Sequence, residues 1–289
     1  TFPTLASNCA PVTRIAVFYK EDGSADTYFI PAELPVHTFI DTQIIAESPD
    51  EYFWAGIGDA FSKGPEVELS SREVELLHSP LMGRALAAGA CIEPLFDNAE
   101  QALADKRSGV VSEAFENVVL NIIVTAGIVS NMTTNLGAER GAYYFNSSTA
   151  HAFYNAFTAL GERGEKHLHG EVVSFGTCVL YAFDGNLKAL EEQVALNRKL
   201  GLPTTLADLD ITPESVDADL DIIVERAQKT NEWGRAPYGF TTDRFRQAIL
   251  DTDAYGRAVA AVEKDLEAAA LDVITAHAPS AETAVPRKM

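Results

Sequence analysis

Asn146 to Gly176 reads NSSTAHAFYNAFTALGERGEKHLHGEVVSFG, and its two histidines, His151 and His169, decide how the rest of the chain is read. Phe153, Phe157 and Leu160 recur at helical spacing and predict a core-facing stripe, with His151, Asn155 and Thr158 on the neighbouring one. Gly161 to Lys166 reads as a loop by composition. A second helix is expected from about His169. It is apolar on nearly all sides from Val172 to Ala182, with Gly170, Ser174 and Gly176 small enough to let other helices come close. The histidines stand eighteen residues apart and cannot share one helix face. A helical hairpin could bring them together.

Taken singly, each histidine packs and donates a hydrogen bond more often than it binds a metal. A third residue changes that balance. Glu51 to Lys63, EYFWAGIGDAFSK, predicts an amphipathic helix with Asp59 among apolar residues, where a carboxylate is costly unless it is paired or bound to a cation. A salt bridge from Asp59 to Lys63 at i+4, or plain exposure, would also account for it. One carboxylate and two imidazoles leave positions open on a cation, as a catalytic site requires. That donor set suits zinc or ferrous iron, with zinc the first expectation. Asn155 and His167 are expected to support the ligands.

The chain has 289 residues, 47% of them hydrophobic, enough for a large core in one or two domains. With 22 basic against 42 acidic residues its net charge is -20, which argues against nucleic acid or an anionic membrane surface as a partner. Cys9, Cys91 and Cys178 have neither metal nor redox spacing, which fits a reducing cytoplasm. No apolar run reads as long enough to span a bilayer, and Thr1 to Ala10 lacks the shape of a signal peptide.

Residues 1–47 are the β-like part. Arg14 to Tyr19 and Thr27 to Ile30 predict a hairpin turning at Glu21 to Ser24, and Val36 to Ile40 one more strand. Ser48 before Pro49 predicts a capped helix start. Helices then follow almost throughout, at 49–63, 66–77, 80–105, 110–131, 138–161, 169–184, 186–200, 213–230 and 242–276. Residues 48–276 thus form an all-helical domain, and 277–289 a frayed tail. Gly64-Pro65 should end or kink the first of these helices.

GIGDA with Phe61-Ser62-Lys63, then AHAFYNAFTAL, then LHGEVVSFG resemble the metal-dependent alcohol dehydrogenases, in the branch of glycerol and related hydroxyacid dehydrogenases. PTLASNCAPVTRIAVFYKEDG, GLPTTLADLDI and AILDTDAYG fall in the family's order, so the resemblance covers nearly the whole chain. It implies a mainly α chain, the helical metal-binding domain of the dehydroquinate synthase and iron-alcohol-dehydrogenase-like fold. A short β-hairpin precedes it, the remnant of an α/β nucleotide-binding domain. Asp59, His151 and His169 become the ligands of one divalent metal. Thr4, Ser7, Thr13, Ile15 and Tyr19 become contacts to the nicotinamide half of NAD or NADP, although a hairpin simply packed on the helices explains those five equally well.

The implied reaction is hydride transfer between that nicotinamide and a small alcohol, polyol or hydroxy acid, in a cytoplasmic homo-oligomer. Cys9 stands where glycerol dehydrogenases carry an aspartate that holds substrate hydroxyls. A neutral thiol removes an anchor for a triol and a repulsion for a carboxylate, which favours 2-oxo or 2-hydroxy acids. The family's glycine-rich GGGK-type phosphate loop has no counterpart here. The competing expectation is therefore a non-catalytic metal-binding and oligomerising domain that needs a separate nucleotide-binding half. A lyase of the dehydroquinate synthase type is disfavoured by GIGDA with HGEVVSFG.

Overall fold

The structure is a computed structural model that describes residues 1–277 except 22, 30, 32 and 136–141, with side chains as far as residue 265. It opens with an antiparallel hairpin of β1 (Ala16–Tyr19) and β2 (Ala25–Phe29), paired from Ala16 with Phe29 to Tyr19 with Ala25 across a bulge at Phe18/Tyr19. The return strand thus starts earlier than Thr27, and Ile30 lies outside the described residues. Val36 to Ile40 is not a strand: Phe39 N–H reaches Thr1 O, but no ladder follows. Helix begins earlier than expected, at α1 (Thr42–Glu47), where the Asp41 side chain accepts from Gln43 N–H and Ile45 is buried.

The central element is α2 (Asp50–Ser71), which continues through Gly64-Pro65 instead of ending there. Its residues from Ala60 to Val67 are all buried, so packing on every side outweighs the backbone hydrogen bond that proline removes. Ser48 does not cap it: its hydroxyl donates back to Ile45 O. The expected helix at 80–105 divides at Gly89 into α3 (His78–Ala88) and α4 (Glu93–Arg107).

Next come α5 (Glu113–Leu120), a π-helical turn at Asn121–Thr125, and α6 (Ala126–Thr133), continuous over 21 residues. That length and composition would suffice to cross a membrane, contrary to the sequence expectation. However, 56% of its most apolar window is buried inside the protein, and Phe115, Val118 and Val119 pack with α2, as in a core helix.

The expected helix at 138–161 starts only at Thr149. A two-residue ladder of β3 (Thr134–Asn135) and β4 (Tyr143–Tyr144) precedes it, and 136–141 lie outside the described residues. Then follow α7 (Thr149–Phe157), the short α8 (Glu162–Lys166) where a loop was expected, and α9 (His169–Asp184) at its expected bounds. The remaining helices are α10 (Leu187–Leu200), α11 (Val216–Ala227) and α12 (Thr242–His277). The tail expected at 277–289 falls outside the described residues from 278 onward. All three cysteines are free thiols.

The two largest hydrophobic clusters among the described residues flank α2 and α9. Phe53, Ile57 and Phe61 pack with α4 and α5, while Phe153, Phe157, Val172 and Phe175 pack with α11 and the start of α12. The two helices touch through their backbones. A Cβ on Gly170 would lie 1.8 Å from Ala55 O, and one on Gly58 would lie 2.4 Å from Gly170 O. At Gly176, the same construction meets Ala150 O of α7 at 2.6 Å.

A methyl group at residue 170 must therefore push the helices apart. Gly170→Ala is expected to lower unfolding stability by about 1–3 kcal/mol in urea titration. Gly89→Ala, which meets nothing within 4 Å, should leave it unchanged or slightly raised.

Candidate metal centre

Each of these backbone approaches has one of the singled-out residues beside it. Asp59 follows Gly58, His169 precedes Gly170, and His151 follows Ala150. One ligand atom from each of Asp59, His151 and His169 can be chosen so that all three lie within 4.8 Å of one another. His169 Nε2 is 3.1 Å from Asp59 Oδ1, His151 Nε2 is 3.6 Å from the same oxygen, and the imidazole centroids are 5.3 Å apart. Burial works against the Asp59 carboxylate, but His169, His151 and Lys63 outweigh it and hold its pKa down at about 2. Tyr154 packs edge-on against the His169 ring, centroids 4.2 Å apart.

Sequence reading missed Glu66, which is fully buried. Its Oε1 accepts from the backbone N–H of Ser148 at 2.8 Å and of His151 at 2.9 Å, and its Oε2 lies 2.6 Å from His151 Nδ1. The first turn of α7 has no cap of its own from Ser148, so this carboxylate from another helix satisfies its free donors and faces its positive end. With Nδ1–H donated to Glu66, the lone pair on His151 Nε2 is turned towards Asp59 and His169. Desolvation opposes charge on both partners. Each nevertheless favours the other's ionised form, so Glu66 is held below the usual glutamate range and His151 above that of free histidine. The signal available in the sequence was its spacing: Asp59, Lys63 and Glu66 follow i, i+4, i+7 on one stripe of α2.

The residues expected to support the ligands do other work. His167 Nδ1 is 2.8 Å from Glu171 Oε1 and its Nε2 3.2 Å from Asp210 Oδ2, which pins the start of α9 rather than the trio. Asn155 donates to Tyr28 OH and to Glu232 Oε2. Glu232, fully buried, also accepts from Tyr28, Tyr144 and Ser147 hydroxyls at 2.8, 3.1 and 3.0 Å. With Tyr19 OH 3.2 Å from Tyr154 OH and Ala25 N–H donating to Thr158, these bonds fasten the hairpin over α7.

The hairpin and the helices enclose a cleft of about 550 Å³ with Asp59, His151 and His169 among its lining residues. Cys9, Thr13, Ile15 and Tyr19 also line it, whereas Thr4 and Ser7 do not. Thr4 is exposed, and Ser7 lies against α2 at Gly56. Burial pushes the Cys9 thiol pKa up, so it is neutral at pH 7.

No family model matches the sequence. A glycerol dehydrogenase of Escherichia coli O6:H1 is 33% identical over 260 residues, covering 88% of this chain and 67% of that protein. The chain belongs to the metal-dependent alcohol dehydrogenase family, in its glycerol dehydrogenase-like branch. By family it is an alcohol- or glycerol-type dehydrogenase. Hydroxycarboxylate dehydrogenase A of Escherichia coli K12 is 29% identical over 254 residues, with 88% of this chain and 67% of that protein matched. The crystal structure of a probable glycerol dehydrogenase from Sinorhizobium meliloti 1021 superposes with a TM-score of 0.78 at 28% identity, over 89% of this chain and 70% of that one. The chain thus spans about two thirds of the length of the curated relatives. The mainly helical fold is that of this family's helical domain.

Removing one donor from the hairpin's anchor should loosen the cleft wall. Tyr28→Phe is expected to speed amide exchange of β1 and β2 about fivefold relative to α9, the loss of one net hydrogen bond. Equal exchange in both would mean that the anchor contributes nothing.

Proposed function

We propose that this chain is the metal-bearing part of a dehydrogenase that moves hydride between NAD or NADP and a small alcohol, polyol or hydroxy acid, with Asp59, His151 and His169 as the metal ligands. The observation that carries the reading is the convergence of those three side chains, from three separate helices, on one point of the cleft wall. The donor set fits the ion: one carboxylate, one imidazole whose far nitrogen is held by Glu66, and a second imidazole, with room left for substrate. Zinc and ferrous iron both suit these donors.

When bound, the cation supplies Lewis acidity towards a substrate oxygen, and the nicotinamide supplies the hydride chemistry. The chain's own residues do the rest. Asp59 contributes negative charge, since its low pKa keeps it ionised at neutral pH. Glu66 fixes the ring plane of His151, and Tyr154 that of His169. Thr13, Ile15 and Tyr19 line the cleft on the side where the nicotinamide half would lie, and Cys9, which also lines it, would face the substrate.

Elemental analysis of the purified chain should find about one equivalent of zinc or iron, absent from an Asp59→Asn, His169→Ala double variant. Equal metal in both would remove the site. Glu66→Gln keeps the volume but weakens the acceptor, and is expected to lower metal affinity about 10- to 100-fold in a chelator competition.

A further inference from the structure

Lys63 follows Asp59 by one turn of α2 but does not pair with it. Its ammonium donates to Asn146 Oδ1 at 2.7 Å and to Asn146 O at 3.3 Å, and among the described residues no carboxylate forms an ion pair with it. The residue is only 5% exposed. A buried ammonium held by neutral oxygens alone keeps much of its desolvation cost. Lys106 provides the contrast within the same fold. It is as deeply buried, and its ammonium reaches the Asp50 carboxylate at 3.2 Å as well as the carbonyls of Ala46 and Ser48.

Lys63 and Asn146 both line the cleft that holds Asp59, His151, His169 and Cys9. A divalent cation on the trio, together with the Lys63 ammonium, outweighs the single charge of Asp59. Glu66 spends its charge on His151 and the α7 backbone. Cys9, with its thiol pKa raised by burial, adds no negative charge. The substrate space is therefore electropositive: Lys63 and Arg14 are the lysine and arginine among its described lining residues, and Lys63 is the one that shares a helix with a member of the trio.

We infer that Lys63, oriented by Asn146, binds the carboxylate of the substrate and thereby makes 2-hydroxy and 2-oxo acids, rather than neutral polyols, the substrate class of this cleft. The inference rests on the metal-centre reading above. Side chains at i and i+4 leave their helix about 5–6 Å apart. A small molecule bearing a hydroxyl on the carbon next to its carboxylate can then reach the metal side with one group and Lys63 with the other. The terminal hydroxyl of a polyol reaches the same place but brings no charge to compensate the ammonium.

Glycolate and ethylene glycol differ only by a carboxylate in place of a hydroxymethyl group. In calorimetric titrations of the zinc-loaded chain, glycolate is expected to bind at least tenfold more tightly than ethylene glycol. Lys63→Gln and Lys63→Met should erase most of that preference while retaining zinc, and Lys63→Arg should keep it. Equal affinity for the two ligands in the zinc-loaded parent, or a full preference surviving in both neutral variants, overturns the role of Lys63 and leaves the metal centre standing. A parent that takes up no zinc or iron overturns the metal centre and this inference together. Elemental analysis of the titrated sample tells these failures apart. Should both neutral variants fail to fold, Asn146→Ala decides: it frees the ammonium and should reduce the preference, and a full preference surviving in it overturns the role of Lys63.

Discussion

The candidate site depends on a contact between backbones. At Gly58 and Gly170, α2 and α9 cross with no side chain between them, and α7 meets α9 in the same way at Ala150 and Gly176. Helices packed through larger side chains keep their axes about 8–10 Å apart. Short polar side chains such as Asp and His converge when they leave the crossing point itself. Each of the three converging residues is the chain neighbour of one of these contacts, so the packing that closes the two cores also sets the spacing of the trio.

Glu66 adds a second constraint. A carboxylate with no exposure would be a liability in a hydrophobic core, yet here it takes three hydrogen bonds from the first turn of α7, one of them from the His151 ring. The same group completes a helix end and fixes an imidazole. Satisfying the local backbone and orienting a functional ring are one interaction, and α2 can provide it because it continues past Pro65.

What could be read in advance follows from the range of the forces involved. His169 at the head of an apolar helix, and Asp59 within an amphipathic one, are local patterns, and the motifs that contain them also indicated the family. The apolar run from Val172 to Ala182 marked α9, whose bounds fell where expected. Glu66 was invisible because its partners are more than eighty residues away in sequence. Pro65 misled because a propensity of a few kcal/mol yields to burial on all sides. Val36 to Ile40 is rich in β-branched and aromatic residues, but no described strand lies alongside to pair with it. Asn155 and His167 are near the histidines along the chain and were drawn into other networks by Glu232 and Asp210.

Asp59, Lys63 and Glu66 share a single rigid rod. Negative, positive and negative groups at successive turns leave that stripe with one net negative charge, and all three are carried by the same helix. Residue 63 touches Asn146 and the open cleft, and neither imidazole bonds to it. A neutral substitution at that position therefore leaves the hydrogen bonds among Asp59, Glu66 and the two imidazoles in place while removing one positive charge from beside Asp59.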